Sequence, residues 1–162
     1  SLKKQNVSIL GDGIGGLTAA VAMSRRGANV TVFDQTKRQS SIGAGIQVSP
    51  NGFGVMDTLG LAAQLFSKGN VLEFINVQNY KNPLFSSRVD LMKVTHGNPN
   101  PHLVIHRSDL IGILIKKTED LGVKLHFNKK AESINYDDKE IQISFNDGTV
   151  HKTHMLLSLI HI

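Results

Sequence analysis

The stretch from Val7 to Asp34, VSILGDGIGGLTAAVAMSRRGANVTVFD, restricts the possible fold more than any other part of the chain. An apolar run of Val7, Ile9 and Leu10 ends at Gly11, and the glycines follow as Gly11-x-Gly13-x-x-Gly16. A helical stretch then continues through Arg26 and stops at Gly27. A β-branched run, Val30 to Phe33, follows and ends in Asp34. The pattern reads as strand, tight turn, helix and strand. Gly11 permits the sharp turn, Gly13 lets backbone approach a pyrophosphate, and Gly16 lets the helix sit close to the strand. The helix start offers N–H groups and the positive end of its dipole to an anion. Asp34, at the tip of the second strand, is placed to accept hydrogen bonds from the hydroxyls of a ribose. A glycine-rich turn without a ligand, or an acid that only caps a strand end, explains fewer of these parts at once.

With 162 residues the chain suffices for one domain with a real core. No apolar run approaches the ~20 residues of a membrane-spanning helix. SLKKQNV, ahead of the first strand, lacks the apolar region of a secretory signal. A cytoplasmic protein without a membrane partner is therefore expected. The absence of cysteine excludes disulfides, thiolate metal sites and a cysteine nucleophile, and fits a reducing compartment. The sequon Asn6-Val7-Ser8 enters a strand and is not expected to carry a glycan. The net charge of +5 is spread over pairs, Lys3-Lys4, Lys37-Arg38, Lys116-Lys117 and Lys129-Lys130, with few aromatics among them. That is a solvated basic surface that can attract anionic cofactors, not a nucleic-acid site.

Along the chain, Leu17, Ala20, Val21 and Ser24 share one face of the first helix, which Gly27 closes. A polar loop, Gln35 to Ser41, leads to Gly43-Ala44-Gly45-Ile46-Gln47-Val48-Ser49-Pro50. Ser49 before Pro50 marks a cap, so a helix is predicted from Pro50 to Leu59 and a shorter one from Leu61 to Ser67. Alternation from Val71 to Tyr80 predicts a strand, with a turn at Lys81-Asn82-Pro83 and a return strand from Leu84 to Val89. Leu103 to Ile105 is a short buried strand. Ser108 is the predicted cap of a helix that carries Leu110, Leu114 and Leu121 inward and stops at Gly122. Strands are predicted at Val123 to Phe127, Ala131 to Tyr136, Ile141 to Phe145 and Thr149 to Leu157, with a hairpin at Asn146-Asp147-Gly148. The expected fold class is α/β: a Rossmann-like parallel sheet with an inserted hairpin near 71–89 and a β-meander after the third parallel strand. A simple nicotinamide Rossmann domain would continue with regular strand–helix alternation, so the interruption favours a flavin dinucleotide.

Four stretches in this order resemble the class A FAD-dependent aromatic monooxygenases of the salicylate and 6-hydroxynicotinate hydroxylase type. They are the glycine fingerprint with Asp34, GAGIQVSPNG from Gly43, IHRSDL from Ile105, and FNDGT from Phe145. The resemblance covers nearly the whole chain. It implies that Gly11, Gly13, Ile14, Gly15 and Gly16 border the FAD pyrophosphate, and that Asp34 and Gln35 hold the adenosine ribose region. It places Ala44, Gly45 and Gln47 along the ribityl and isoalloxazine side, Arg107 as a cation near the pyrophosphate and ribityl, and the Ala131 backbone at the adenine. Members often have glutamate where this chain has Asp34, which shortens the carboxylate's reach. Some carry a catalytic histidine where this chain has Gln47, and glutamine cannot act as a general base, so no catalytic residue is assigned. The implied reaction uses NAD(P)H as transient reductant and O₂ to hydroxylate a small aromatic substrate. The family's LIGADG-type segment corresponds here to MLLSLIHI, Met155 to Ile162, and its later Gly-Asp segment and substrate sheet are not in the sequence. The chain is therefore expected to be the N-terminal part of a longer enzyme, with 71–89 the start of a substrate-side β element. A non-catalytic nucleotide-binding remnant and a nicotinamide-dependent oxidoreductase are the alternatives.

Three other features have plainer explanations. His102 and His106 share a strand face, but no third ligand is placed to complete a metal site. Ser49 is a helix cap rather than a nucleophile, having no histidine base beside it in its motif. Arg107 by itself would be a surface ion-pair partner; its position after a buried strand, at a helix start, suggests the flavin role.

Overall fold

The computed structural model describes residues 2–37, 44–82, 86–94 and 97–160. In chain order the first elements are β1 (Asn6–Leu10), α1 (Ile14–Arg25), β2 (Asn29–Phe33), β3 (Gly45–Val48), α2 (Pro50–Thr58) and α3 (Ala62–Lys68). Next come β4 (Asn70–Leu72), β5 (Phe74–Gln78), β6 (Ser86–Asp90) and the short α4 (Leu91–Val94). The chain continues through β7 (His102–His106), α5 (Arg107–Asp120), β8 (Lys124–His126), β9 (Ala131–Tyr136), β10 (Ile141–Phe145), β11 (Val150–Thr153) and β12 (Met155–Ser158). Gly43, Pro83 and Leu84, which enter the sequence readings above, lie outside the described residues, as do 38–41 and His161. The contacts divide the chain, within α5, into one unit of Ser1–Ser41 with Ile111–Ile162 and another of Ile42–Leu110.

The first unit is built on a parallel sheet of order β12-β1-β2-β8. Ile9 lies opposite Val32 on one side and Leu157 on the other. Alternation along the strands sends Val7, Ile9, Val30 and Val32 to one face, where they join Ala20 of α1 and Val123 in a single buried cluster. Leu10 and Phe33 point to the other face and pack with Ala131, Ile143 and Phe145. Those three belong to the meander β9-β10-β11, which is antiparallel throughout. Both faces of β1 and β2 are covered, which explains why these strands are nearly continuous apolar runs.

The turn into α1 depends on two glycines. Gly11 adopts φ +106°, a conformation that a Cβ makes costly. At Gly16 a Cβ would overlap the carbonyl oxygen of Gly11 and come within 3.5 Å of the Ile9 side chain. Helix and strand therefore meet backbone to backbone, and Leu17, Ala20 and Val21 are buried beside the contact.

The second unit has an antiparallel sheet, β3-β7-β4, with Leu103 and Ile105 of the central strand buried. Phe53 and Met56 of α2 and Leu65 of α3 are buried with it, and the Phe53 and Phe66 rings sit 5.1 Å apart. The Ser49 hydroxyl accepts the Gly52 N–H at 3.3 Å, so the predicted cap is present. β5 and β6 form an antiparallel ribbon whose first strand is exposed along its whole length.

Three sequence expectations are corrected. Val71 to Tyr80 is not one strand: the chain leaves one sheet at Leu72 and enters the β5–β6 ribbon at Phe74, with Glu73 between. Likewise 149–157 divides at His154, β11 completing the meander and β12 joining the parallel sheet. Apolar alternation is the same on either side of such a junction, so periodicity does not reveal it. At that junction the His154 N–H donates to the Asn6 carbonyl and the Asn6 N–H to His154 Nδ1, both at 3.1 Å. Finally, α5 begins at Arg107, directly after β7, and the Ser108 hydroxyl pairs with His106 Nδ1 at 2.6 Å instead of capping a helix end.

Gly16→Ala should unfold the chain or lower its stability by about 3 kcal/mol or more, as overpacking with backbone displacement does. Gly13→Ala, where nothing lies within 4 Å of the added methyl, should be tolerated far better. Denaturant melts of the two variants check the difference.

A second prediction concerns pH. His151 sits edge-on to Phe33 at 4.8 Å. Burial, then the nearby charges of His126 and Lys124, hold its imidazole below the usual 6.5. The unfolded chain therefore takes up this proton at higher pH than the folded one. Stability should fall as pH drops below 6.5 through the folded value, and His151→Gln should flatten that part of the stability-versus-pH curve.

Candidate functional site

β1 runs into the glycine bend at Gly11, whose N–H donates to the Phe33 carbonyl at 2.8 Å. That bond ties the bend to the tip of β2. Gly13 precedes α1 in an extended conformation, with no side-chain cap and no acidic residue in the first turn of the helix. The first-turn amides thus have no carboxylate or hydroxyl of the cap to serve, and the helix dipole leaves positive potential at the bend. A Cβ at Gly13 would meet nothing within 4 Å. The result is a bare backbone cradle suited to an anion.

Asp34 is turned onto this cradle. Its Oδ2 accepts the Asp12 N–H at 3.0 Å, and its Oδ1 accepts the Thr36 N–H at 2.7 Å and the Thr36 hydroxyl at 2.6 Å. The Asp34 backbone is held as well: its N–H donates to the His126 carbonyl and its carbonyl accepts the Lys129 N–H. Partial burial alone would raise the Asp34 carboxyl. The hydrogen bonds from Thr36 and Asp12 outweigh it and hold the group below its usual 3.8. Asp34 is therefore an ionised acceptor at neutral pH. What its ionisation contributes to stability is present above 3.8 and is lost as pH falls through the folded value.

Gly11, Gly13, Gly15, Gly16, Asp34 and Gln35 converge on one hollow, together with Asp12 and Thr36, and Leu159 and Ile160 complete its lining. Ile14 and Ala131 do not line it. Ile14 opens α1 and its carbonyl accepts the Thr18 hydroxyl at 2.6 Å. The Ala131 side chain is buried in the core with Phe33 and Phe145. In the second unit, Gly45 lies opposite His106, Gln47 lies opposite Val104, and the Arg107 N–H donates to the Ala44 carbonyl at 3.2 Å. Ala44, Gly45 and Gln47 are exposed. Asp12 and Thr36 were not among the residues singled out from the sequence. The spacing Asp34-x-Thr36 is that of a side-chain-capped turn and could have flagged Thr36. An acid inside the glycine fingerprint could have flagged Asp12.

No group of three histidine or acidic side chains that could hold a metal ion occurs among the described residues. Among them, no helix is long and apolar enough to cross a membrane.

A family model described as FAD binding domain matches residues 4–156. The chain belongs to this family. It is 27% identical to 6-hydroxynicotinate 3-monooxygenase of Bordetella bronchiseptica over 95% of its own length and 40% of that protein's. It is 31% identical to 3-hydroxybenzoate 6-hydroxylase of Polaromonas naphthalenivorans over 90% of its own length and 37% of the relative's. The chain thus spans well under half of these curated relatives. Among solved structures, HpxO of Klebsiella pneumoniae in complex with FAD superposes with a TM-score of 0.81 at 23% identity, over 94% of this chain and 38% of that one. That likeness establishes the mixed α/β fold with its parallel sheet.

Thr36→Val removes the strongest hydrogen bond that favours ionised Asp34. The Asp34 carboxyl should then titrate at higher pH than in the parent chain, as read by carboxyl ¹³C NMR, with β2 and β8 unchanged in amide shifts.

Proposed function

We propose that the chain binds FAD and forms the FAD-binding part of a monooxygenase that hydroxylates a small aromatic or heteroaromatic substrate with NAD(P)H and O₂. The observation that carries this reading is the bare amide cradle with an ionised acid directed onto it, in a chain of the FAD-binding family. The cradle tests well against the group. A diphosphate needs backbone amides and room, and Gly13 supplies space that any side chain would take. A ribose needs an acceptor, and Asp34 supplies a carboxylate.

Within this reading Gly11, Gly13, Gly15 and Gly16 hold the pyrophosphate, with Ile14 following them into α1. Asp34 and Gln35 hold the adenosine ribose, and the Ala131 backbone borders the adenine. Ala44, Gly45 and Gln47 serve the ribityl and ring side, and Arg107 supplies a cation. Bound FAD would supply the redox chemistry, receiving reducing equivalents from NAD(P)H and activating O₂ for transfer to the ring. The chain's own part is to bind and orient. The α1 dipole offsets phosphate charge, and Asp34, fixed by Thr36 and Asp12, orients the ribose without reorganising on binding. The ribbon of β5 and β6, exposed on both faces of β5, suits the start of a substrate-side sheet.

The full-length parent protein should purify yellow and oxidise NAD(P)H faster when a phenolic or heteroaromatic acid is added. A colourless protein that takes up no FAD in titration would overturn the reading, and FAD uptake without NAD(P)H oxidation would leave a binding module only. Asp34→Ala should weaken FAD binding by about tenfold or more, the equivalent of one charge-assisted hydrogen bond.

A further inference from the structure

On the meander face of the parallel sheet, Ser8 of β1 is 0% exposed, and its hydroxyl has no hydrogen-bond partner among the described residues. A hydroxyl shut away from water without a partner is costly, so a partner is expected from its surroundings. The register sets Ser8 opposite Thr31 and Thr31 opposite Lys124. The alternation that sends Leu10 and Phe33 to the meander sends these three side chains to the same face. A hollow of about 390 Å³ opens here, and Ser8, Thr31, Lys124, His151 and Lys152 are among the residues that line it.

The lining carries charge of one sign. Lys124, Lys152 and His151 bring basic groups, and no acidic side chain lines the hollow. Lys152 is paired with Glu140 of β10 at 2.6 Å, whereas Lys124 has no carboxylate partner among the described residues. Around His151, β8 brings the charges of Lys124 and His126, which together with burial disfavour the imidazolium. Asn6, Ser8, Asn29 and Thr31 of β1 and β2 are uncharged, as are Ile143 and Ile134, its cross-strand neighbours in the meander. Two helices end beside the hollow, and their last carbonyls are already occupied. Those of Met23 and Ser24 accept the amides of Arg26, Gly27 and Ala28, and those of Lys117, Thr118 and Glu119 accept the amides of Leu121, Gly122 and Val123.

We propose that this hollow binds a small oxyanion of the phosphate type, with Lys124 as its cation and the hydroxyls of Ser8 and Thr31 as its donors. An oxyanion supplies the lone pairs that an orphan hydroxyl lacks and the charge that an unpaired ammonium lacks. Bound there, it ties β1, β2 and β8 to β11. The lining comes from the starts of these strands, whereas the glycine bend follows the far end of β1, so this second site is independent of the FAD reading. His151, which shares the lining, then has an anion beside it and takes up its proton more readily.

The probe is inorganic phosphate, added to the 162-residue chain with chloride lowered to hold ionic strength constant. Amide NMR shifts of Ser8, Thr31, Lys124 and His151 should change together and saturate. Ser8→Ala and Lys124→Gln should each weaken the affinity by about tenfold. Lys116→Gln, on the exposed side of α5, should leave it unchanged. Melting separates a binding hydroxyl from a structural one. In chloride alone Ser8→Ala loses an unpaired group and should melt no lower than the parent; in phosphate the parent should gain in Tm and the variant should not. The His151 ring signals of the parent should titrate at higher pH with phosphate than without. Shifts that do not saturate, that chloride reproduces, or that persist equally in Ser8→Ala and Lys124→Gln overturn the proposal, and the hollow then holds water only. A Ser8→Ala chain that melts well below the parent in chloride alone also overturns it, because the hydroxyl then has its partner within the protein.

Discussion

Everything at the candidate site depends on how closely α1 approaches the end of β1. That approach is a backbone contact, Gly16 against the Gly11 carbonyl, with no room for even one carbon between. It fixes where the helix begins and therefore where its unpaired amides and dipole point. The Gly11 N–H then links the bend to the Phe33 carbonyl, so the acid one residue further on is carried to the same place. A cradle and an acceptor are joined by main-chain bonds rather than by adaptable side chains. Such a site gives up little freedom when a ligand arrives.

Charge is distributed unevenly in its importance. Ion pairs such as Lys116–Asp120 and Lys152–Glu140 lie on the surface, where a pair is worth only ~0–1 kcal/mol. The carboxylate of Asp34 differs because donors on three groups, two of them backbone amides, converge on it in a half-buried setting. Its geometry is determined before any ligand binds. The same crowding leaves few lone pairs unused, so any further donor must approach along the directions that remain.

Much of this architecture could be read from the residues in order. The first strand–turn–helix–strand unit, the Ser49 cap and the Asn146-Asp147-Gly148 turn each have local chemistry that permits few alternatives, and each occurs as expected. The convergence of the glycines with Asp34 was legible for the same reason. What the residues concealed was non-local. Nothing in the alternation of Val71 to Tyr80, or of 149–157, announces that the strand changes partners, because a new sheet needs the same period as the old one. Ser108 looked like a cap because its type suits one, yet His106 supplies a closer partner. Asp12 was hidden by its setting: among glycines its backbone position drew notice and its side chain did not.

The pairing of β12 with β1 joins residues near the two extremes of the sequence, Val7 beside Met155. Such a closure has high contact order and belongs to the slower steps of folding. During synthesis the first βαβ segment leaves the ribosome long before its outer neighbour does, with one edge of β1 offering unsatisfied amides to any passing strand. Chaperone engagement early in translation, and intermolecular strand exchange when it fails, are the hazards this topology brings to a nascent chain.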